Sequence, residues 1–153
     1  MTDYTGSRGR PYSGFARTMQ KLATAAHGAL YTATAGRLGG KIGGNQVVVL
    51  TTTGRKSGAP RTTPLFAYRD EADYIVVASN GGTAKHPDWY LNLSAHPDAE
   101  LKVGQHSHPV RARDLDADEK ARWWPAAVER YGGYAGYQTS TDRAIPMVRL
   151  TPR

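Results

Sequence analysis

Residues 47–68 read Val47-Val48-Val49-Leu50-Thr51-Thr52-Thr53-Gly54-Arg55-Lys56-Ser57-Gly58-Ala59-Pro60-Arg61-Thr62-Thr63-Pro64-Leu65-Phe66-Ala67-Tyr68. Val47 to Thr53 is β-branched apart from Leu50, and it opens on a wholly apolar run, the pattern of a buried strand. Gly54 to Pro60 predicts a turn, and Thr62 to Tyr68 the returning strand. The hairpin pattern continues downstream. Arg69, Asp70 and Glu71 form a polar turn before a strand at Tyr74 to Ser79. Glu100 to Val103 and Pro109 to Arg113 pair across Gly104, and Met147 to Leu150 is a closing strand. The connections are too short for the helical crossovers of a parallel sheet. Short antiparallel strands in this number predict an α+β, mainly β fold: a small antiparallel barrel with flanking helices.

The helices fall between the hairpins. Asp88 to Ala95 is a short helix stopped near Pro97, and Asp116 and Asp118 cap a helix running from Ala117 to Arg130. Tyr134 to Ser140 is a further short helical segment, made doubtful by Gly132, Gly133 and Gly136. Residues 1–12 predict a disordered basic arm. Residues 13–35 predict an amphipathic helix, with Phe15, Met19, Leu22, Ala26, Leu30 and Ala33 on one stripe and Arg17 and Lys21 off it. Such a helix packs on the core or lies, basic face outward, on an anionic membrane. Residues 36–153 form the barrel domain, entered through a glycine-rich connector from Gly36 to Gly44.

A chain of 153 residues holds one ordinary domain, and 39% hydrophobic with 22% charged residues fits a soluble globular protein. With 20 basic and 13 acidic side chains the net charge is +7, which draws anions. There is no cysteine, which excludes disulfides, thiol catalysis and Cys-ligated metal, and suits a reducing cytoplasm. No apolar run reaches the roughly 18 residues of a membrane span, and no secretory signal opens the chain.

Three segments carry chemistry. In Thr51 to Arg61, two glycines, three cations and several hydroxyls suit a phosphate, against the alternative of a solvated basic hairpin. In Ala78 to Asn92, small residues end a strand, and Trp89 either stacks on a flat ligand or fills the core. In Tyr131 to Tyr137, three phenols at a spacing of three form an aromatic patch or a mobile lid. His106 and His108 could share a strand face but have no third ligand nearby, so no metal is expected.

Together these segments resemble the deazaflavin (coenzyme F420)-dependent nitroreductase family of actinobacteria. The anchors are Thr51-Thr52-Thr53-Gly54-Arg55-Lys56-Ser57-Gly58-x-Pro60-Arg61, Lys85-His86-Pro87-x-Trp89-Tyr90-x-Asn92-Leu93 and Thr141-Asp142-Arg143-x-Ile145-Pro146. The resemblance implies a split β-barrel of the flavin-reductase type that binds F420, a deazaflavin with a phosphodiester and an oligoglutamate tail. By that resemblance Arg55, Lys56, Ser57 and Arg61 meet the phosphate and tail. Thr62, Pro64, Leu65 and Phe66, with Val77, Ala78, Ser79 and Asn80, lie along the cofactor, and Trp89, Tyr90 and Asn92 complete its wall. Tyr134 and Ser79 are the implied catalytic residues, and Tyr131, Tyr134 and Tyr137 line the substrate side. Asn80 stands where members often carry Lys, and Phe66 where they carry Tyr. The implied activity is hydride transfer from reduced F420 to a quinone, nitroaromatic or enone. The alternative is a membrane-apposed deazaflavin-binding or carrier protein without turnover. The expected partners are a small hydrophobic electron acceptor and the inner face of the cell membrane, touched peripherally by a cytoplasmic monomer or homodimer. Nucleic acid is not expected, because the aromatics lie away from the Arg55 to Arg61 turn.

Overall fold

Every strand pairing among the described residues is antiparallel. The computed structural model describes residues 8–9, 41–42 and 44–153. The expected helix at 13–35, and all of the expected basic arm except Arg8 and Gly9, lie outside the described residues. The strands are β1 Lys41–Ile42, β2 Asn45–Thr53, β3 Pro60–Asp70, β4 Asp73–Val77, β5 Asp98–Val103, β6 His106–Asp114 and β7 Met147–Pro152. Their order is β1-β2-β3-β4-β7-β6-β5, and β2 also pairs with β5, so six strands close into a barrel. The helices are α1 Asp88–Ala95, α2 Ala117–Arg130 and α3 Gly133–Ser140.

One edge of β2 runs against β3 from Gln46 to Thr53. The other edge meets β5 only from Val49 to Thr51. The two residues of β1 take the remaining start of that edge, at Asn45 and Gln46. This is why a two-residue strand appears inside a segment whose glycines predicted only a connector.

Alternation along the strands sorts side chains into two layers. Val48, Leu50, Ala67, Val76, Leu101, Val110, Val148 and Leu150 fill the barrel, and α1 adds Trp89, Tyr90 and Leu93 to the same cluster. The residues between them on β3, β4 and β7 (Tyr68, Ile75, Val77 and Met147) face outward. They are covered by Ala127 and Val128 of α2 and Tyr134 of α3. α2 starts on a reciprocal cap: the Asp116 carboxylate accepts from the Glu119 N–H, and Glu119 accepts from the Asp116 N–H.

One ion network ties this outer layer together. Arg149 on β7, 7% exposed, donates from Nη1 to Asp70 at 2.8 Å and to Asp73 at 2.9 Å, across the β3–β4 turn. Its Nη2 lies 3.2 Å from Glu119 at the start of α2, and Glu119 also pairs with Arg113 at 2.7 Å. The Arg113 bond, with the Asp116 N–H, holds the Glu119 carboxyl down at about 2 from its usual 4.5. A carboxylate whose pKa falls on folding adds stability above its unfolded pKa and loses it as pH drops through the folded one. Glu119→Gln should therefore lower Tm at pH 7 by about 2–4 °C, the change that roughly 1 kcal/mol produces in a domain of this size. The gap from wild type should close between about pH 4.5 and 2 in thermal melts across that range. A gap constant with pH would show that Glu119 acts through shape and not charge.

Candidate active site

The β3–β4 ladder runs from Asp70↔Asp73 to Ala67↔Val76 and stops. β3 continues along β2 to Pro60, while the chain after β4 turns away and the Ala78 N–H donates to Pro146 O. The edge of β3 from Phe66 to Pro60 therefore has no β4 partner, and the barrel is split there. From Arg61 to Phe66 this edge is about 17 Å long.

At one end of it sits the basic turn. The Gly54 N–H donates to Ala59 O and the Gly58 N–H to Gly54 O, which closes the loop on itself. Asn92 on α1, 3% exposed, holds the loop from below. Its Oδ1 accepts from the Arg55 N–H and from Arg55 Nη1, and its Nδ2 donates to Thr52 Oγ1 at 3.1 Å. Arg55 also reaches Asp88 at 3.3 Å. Lys56, Ser57 and Arg61 are exposed, and neither Lys56 nor Arg61 pairs with a carboxylate among the described residues. Arg55 is thus largely committed to the loop, and Lys56 and Arg61 are the cations left to face an anion.

At the other end, Phe66 meets Tyr131 edge to face at 5.6 Å. The Tyr131 and Tyr137 hydroxyls share a 2.9 Å hydrogen bond. α3 sits directly on the 3₁₀ turn Asn80–Gly82: a side chain on Gly82 (φ +75°) would meet the Tyr137 backbone at 2.7 Å. Between the ends, Thr62, Pro64 and Phe66 show partly or fully exposed side chains, and Ser79 and Asn80 are half-buried opposite them.

A family model described as F420H(2)-dependent quinone reductase matches residues 24–152. This chain belongs to the F420H(2)-dependent quinone reductase family. The family is one of oxidoreductases. The F420H(2)-dependent quinone reductase Rv1261c of Mycobacterium tuberculosis is 42% identical over 131 residues, 83% of this chain and 88% of that one. A solved F420-H2 dependent reductase (FDR-A) is 45% identical, covers 68% of this chain and 92% of its own, and superposes with a TM-score of 0.63. A solved chain described as a domain-swapped dimer is 36% identical over 87% of this chain and 98% of its own, with a TM-score of 0.64.

Within this quinone reductase fold the expected site residues divide. Lys56, Ser57, Arg61 and Thr62 are exposed and Pro64, Phe66, Ser79 and Asn80 half-buried, and Phe66 meets Tyr131, which bonds Tyr137. Val77, Ala78, Trp89, Tyr90 and Asn92 are 6% exposed or less, and Leu65 packs into the barrel. Trp89, Tyr90 and Asn92, expected as a wall of the site, also have structural contacts of their own. Trp89 and Tyr90 plug the barrel, Tyr90 with its hydroxyl on Asp114, and Asn92 shapes the basic loop. The tyrosine segment is helical at Gly133–Ser140, and Tyr134 is 5% exposed against Tyr68, Tyr131 and Tyr137. Burial, with the neighbouring Tyr68 second, pushes the Tyr134 phenol well above its ordinary pKa. The Tyr68 and Tyr134 hydroxyls affect each other's proton affinity without reaching hydrogen-bond geometry, and Tyr68 Oη is buried with no partner among the described residues.

Asn80 has a local role that its composition alone does not reveal. It sits at φ 45°, a left-handed conformation that Asn tolerates better than most side chains. Its Nδ2 donates to Thr83 Oγ1 at 2.8 Å and to Lys85 O at 2.9 Å, closing the turn. His106 and His108 stack at 6.4 Å on β6, and no group of three metal-binding side chains occurs among the described residues.

Asn92→Ala should cost about 1–3 kcal/mol, because it strips a partner from buried Thr52 and from the Arg55 N–H. Urea unfolding measures this directly. Stability equal to wild type would mean that the loop holds its shape without Asn92.

Proposed function

We propose that this chain binds F420 along the split edge of β3 and uses it to reduce a quinone, with nitroaromatics and enones as further acceptors. The observation that carries the reading is the layout of one strand edge: exposed cations at Lys56 and Arg61 with no carboxylate partner among the described residues, and Phe66, Tyr131 and Tyr137 in contact at the far end. The residues present fit the group. A phosphodiester and several carboxylates need exposed cations and a glycine turn, and a flat ring needs an open strand edge bordered by small residues. The names of relatives 42% and 45% identical, a quinone reductase and an F420-H2 dependent reductase, support the same cofactor.

When bound, the reduced deazaflavin supplies a hydride. The chain's own part is to hold the acceptor, answer the charge that develops on its oxygen and deliver one proton, which completes the two-electron, two-proton reduction of a quinone. Tyr134 and Ser79 are the proposed donors to that oxygen. With its pKa raised, Tyr134 stays protonated over the working range and serves as a hydrogen-bond donor, while its proton is hard to remove. The proton itself then comes from the Tyr131–Tyr137 pair or from water. Tyr131 and Tyr137 also form the apolar wall for the acceptor. The solved chain described as a domain-swapped dimer supports a homodimer. Peripheral membrane contact rests on the spacing of apolar residues in the sequence at 13–35, outside the described residues, and no helix among the described residues is long and apolar enough to cross a membrane.

Lys56→Ala with Arg61→Ala should weaken F420 binding at least about tenfold, since each charge-assisted contact contributes about 1.5–3 kcal/mol. Wild-type affinity should also fall with salt and exceed that for FMN, which lacks the long anionic tail. Side-by-side fluorescence titrations with F420, FMN and FAD read all three, and an unchanged double variant would remove the tail assignment.

Turnover separates an enzyme from a carrier. Under anaerobic conditions, reduced F420 should be consumed on adding menadione; binding without consumption would favour the carrier. In this assay Tyr134→Phe should lower kcat about tenfold with F420 affinity unchanged, less than the 10²–10³ loss of a donor in a well-formed oxyanion hole. Tyr131→Phe and Tyr137→Phe should raise KM, and should lower kcat as well where the pair rather than water supplies the proton. The wild-type rate should show no alkaline loss from Tyr134 up to pH ~10, the ordinary phenol value. A full kcat in Tyr134→Phe would move the donor elsewhere.

A further inference from the structure

Arg143 is fully buried at 0% exposure, on the segment between α3 and β7. Among the described residues no carboxylate neutralises it; its first electrostatic influence is burial, which disfavours the charge. Neutral acceptors surround it instead. Nε donates to Thr83 O at 2.8 Å, Nη1 to Ala78 O at 3.3 Å and Nη2 to Ser79 O at 2.6 Å. Nη1 also lies 3.1 Å from His86 Nδ1, and because a guanidinium can only donate, that nitrogen must be the imidazole acceptor. Four of its five N–H donors are therefore used on one stretch, residues 78–86, which borders the split.

We propose that Arg143 is the positioning residue of the ring end of the site: it draws the 78–86 segment onto one buried point and so fixes Ser79 and Asn80 opposite β3. This deepens the functional reading above and rests on it.

The geometry explains why the residue is an arginine. An isolated buried charge is unfavourable, and an apolar side chain of the same size is often the more stable choice. Here an apolar replacement would leave the Ala78 and Thr83 carbonyls without the donor they have here, and Ser79 O with only the Gly82 N–H. A lysine offers a point charge, whereas this loop presents acceptors in several directions to a planar fork. The peptides are trans, so a carbonyl and the N–H that follows it point oppositely. Turning the Ala78 and Ser79 carbonyls toward Arg143 thus turns the Ser79 and Asn80 N–H groups away from it. The anchor is itself fixed: Gln138 donates to Arg143 O at 2.9 Å and accepts from the Ile145 N–H at 3.0 Å. On the loop's other flank Gly9 packs against the backbone of Thr83 and Ala84 with no room for a side chain, while Arg8 O accepts from Thr141 Oγ1 at 2.6 Å.

The test uses two ligands on the full chain, F420 and its tailless deazaflavin riboside. Arg143→Ala should weaken both by a similar factor, about tenfold or more. Arg143→Lys should fall between it and wild type, and millimolar ethylguanidinium should restore binding to Arg143→Ala. Lys56→Ala with Arg61→Ala should weaken F420 alone. Thermal melts establish that each variant is folded; if Arg143→Ala does not fold, Arg143→Lys decides on the same comparison. A folded Arg143 variant that binds the riboside as wild type does would overturn the proposal while leaving the functional reading intact. Wild-type protein that binds neither ligand would overturn both.

Discussion

The interruption of the β3–β4 ladder beyond Ala67 and Val76 is the constraint on which the site depends. Were the two strands paired to their ends, the β3 edge from Phe66 to Pro60 would be satisfied by backbone and unavailable to any ligand. An open strand edge is a hazard in a soluble protein, since its unpaired N–H and C=O groups invite another strand. Here the hazard is limited from both sides. Pro60 and Pro64 lie on that edge and cannot act as ladder donors. The departing strand remains close, because Ala78 pairs with Pro146 and Arg143 gathers the next residues. The result is an open strand edge beside a tethered segment, in a barrel that is otherwise closed by β2 and β5.

The cations of this chain do different work according to what surrounds them. Arg149 is buried among Asp70, Asp73 and Glu119, so its charge is cancelled by neighbours on three elements. Arg143 is buried among carbonyl dipoles and one imidazole, which orient it without cancelling it. Arg55 is intermediate, bonded to Asn92 and Asp88. Lys56 and Arg61 alone in the basic turn leave their heads to solvent. A net charge of +7 therefore overstates what a polyanion meets at this site and understates how much positive charge is structural.

The barrel was legible in the chain because hairpins announce themselves locally. α1 and α2 fall on their expected bounds, Asp88–Ala95 and Ala117–Arg130, since caps and proline mark them within a few residues. The exposed half of the site was legible for the same reason: a glycine turn rich in Lys and Arg carries its chemistry in its own composition. The buried half was not. Asn92 and Tyr90 differ in fate from an exposed wall only because α1 inserts into the barrel, a tertiary fact absent from an eight-residue window. Tyr134 read as part of a loose glycine segment, yet its ring is a core residue, and packing against Tyr68 and Met147 outweighs the low helix propensity of Gly133 and Gly136. Arg143 carried no functional signal at all beyond its place in a motif, because its acceptors, three backbone carbonyls and the His86 imidazole, lie 57 or more residues away in sequence.

The two ends of the site are held by different chemistry, and this makes them separable. The basic turn is fixed by Asn92 from α1, inside the barrel mouth. The ring end is fixed by Arg143 from the segment before β7, on the opposite side of the split. The holding contacts of the two anchors share no residue, so disturbing one leaves the other's hydrogen bonds in place. On the proposed reading, affinity for an elongated ligand divides into a salt-sensitive part at Lys56 and Arg61 and a geometric part at Ser79 and Asn80. Substitutions at contacts without shared partners tend to add in free energy. On that reading a ligand that spans both ends gains from two nearly independent contacts, whereas a short flavin would reach only the ring end and obtain only the geometric part.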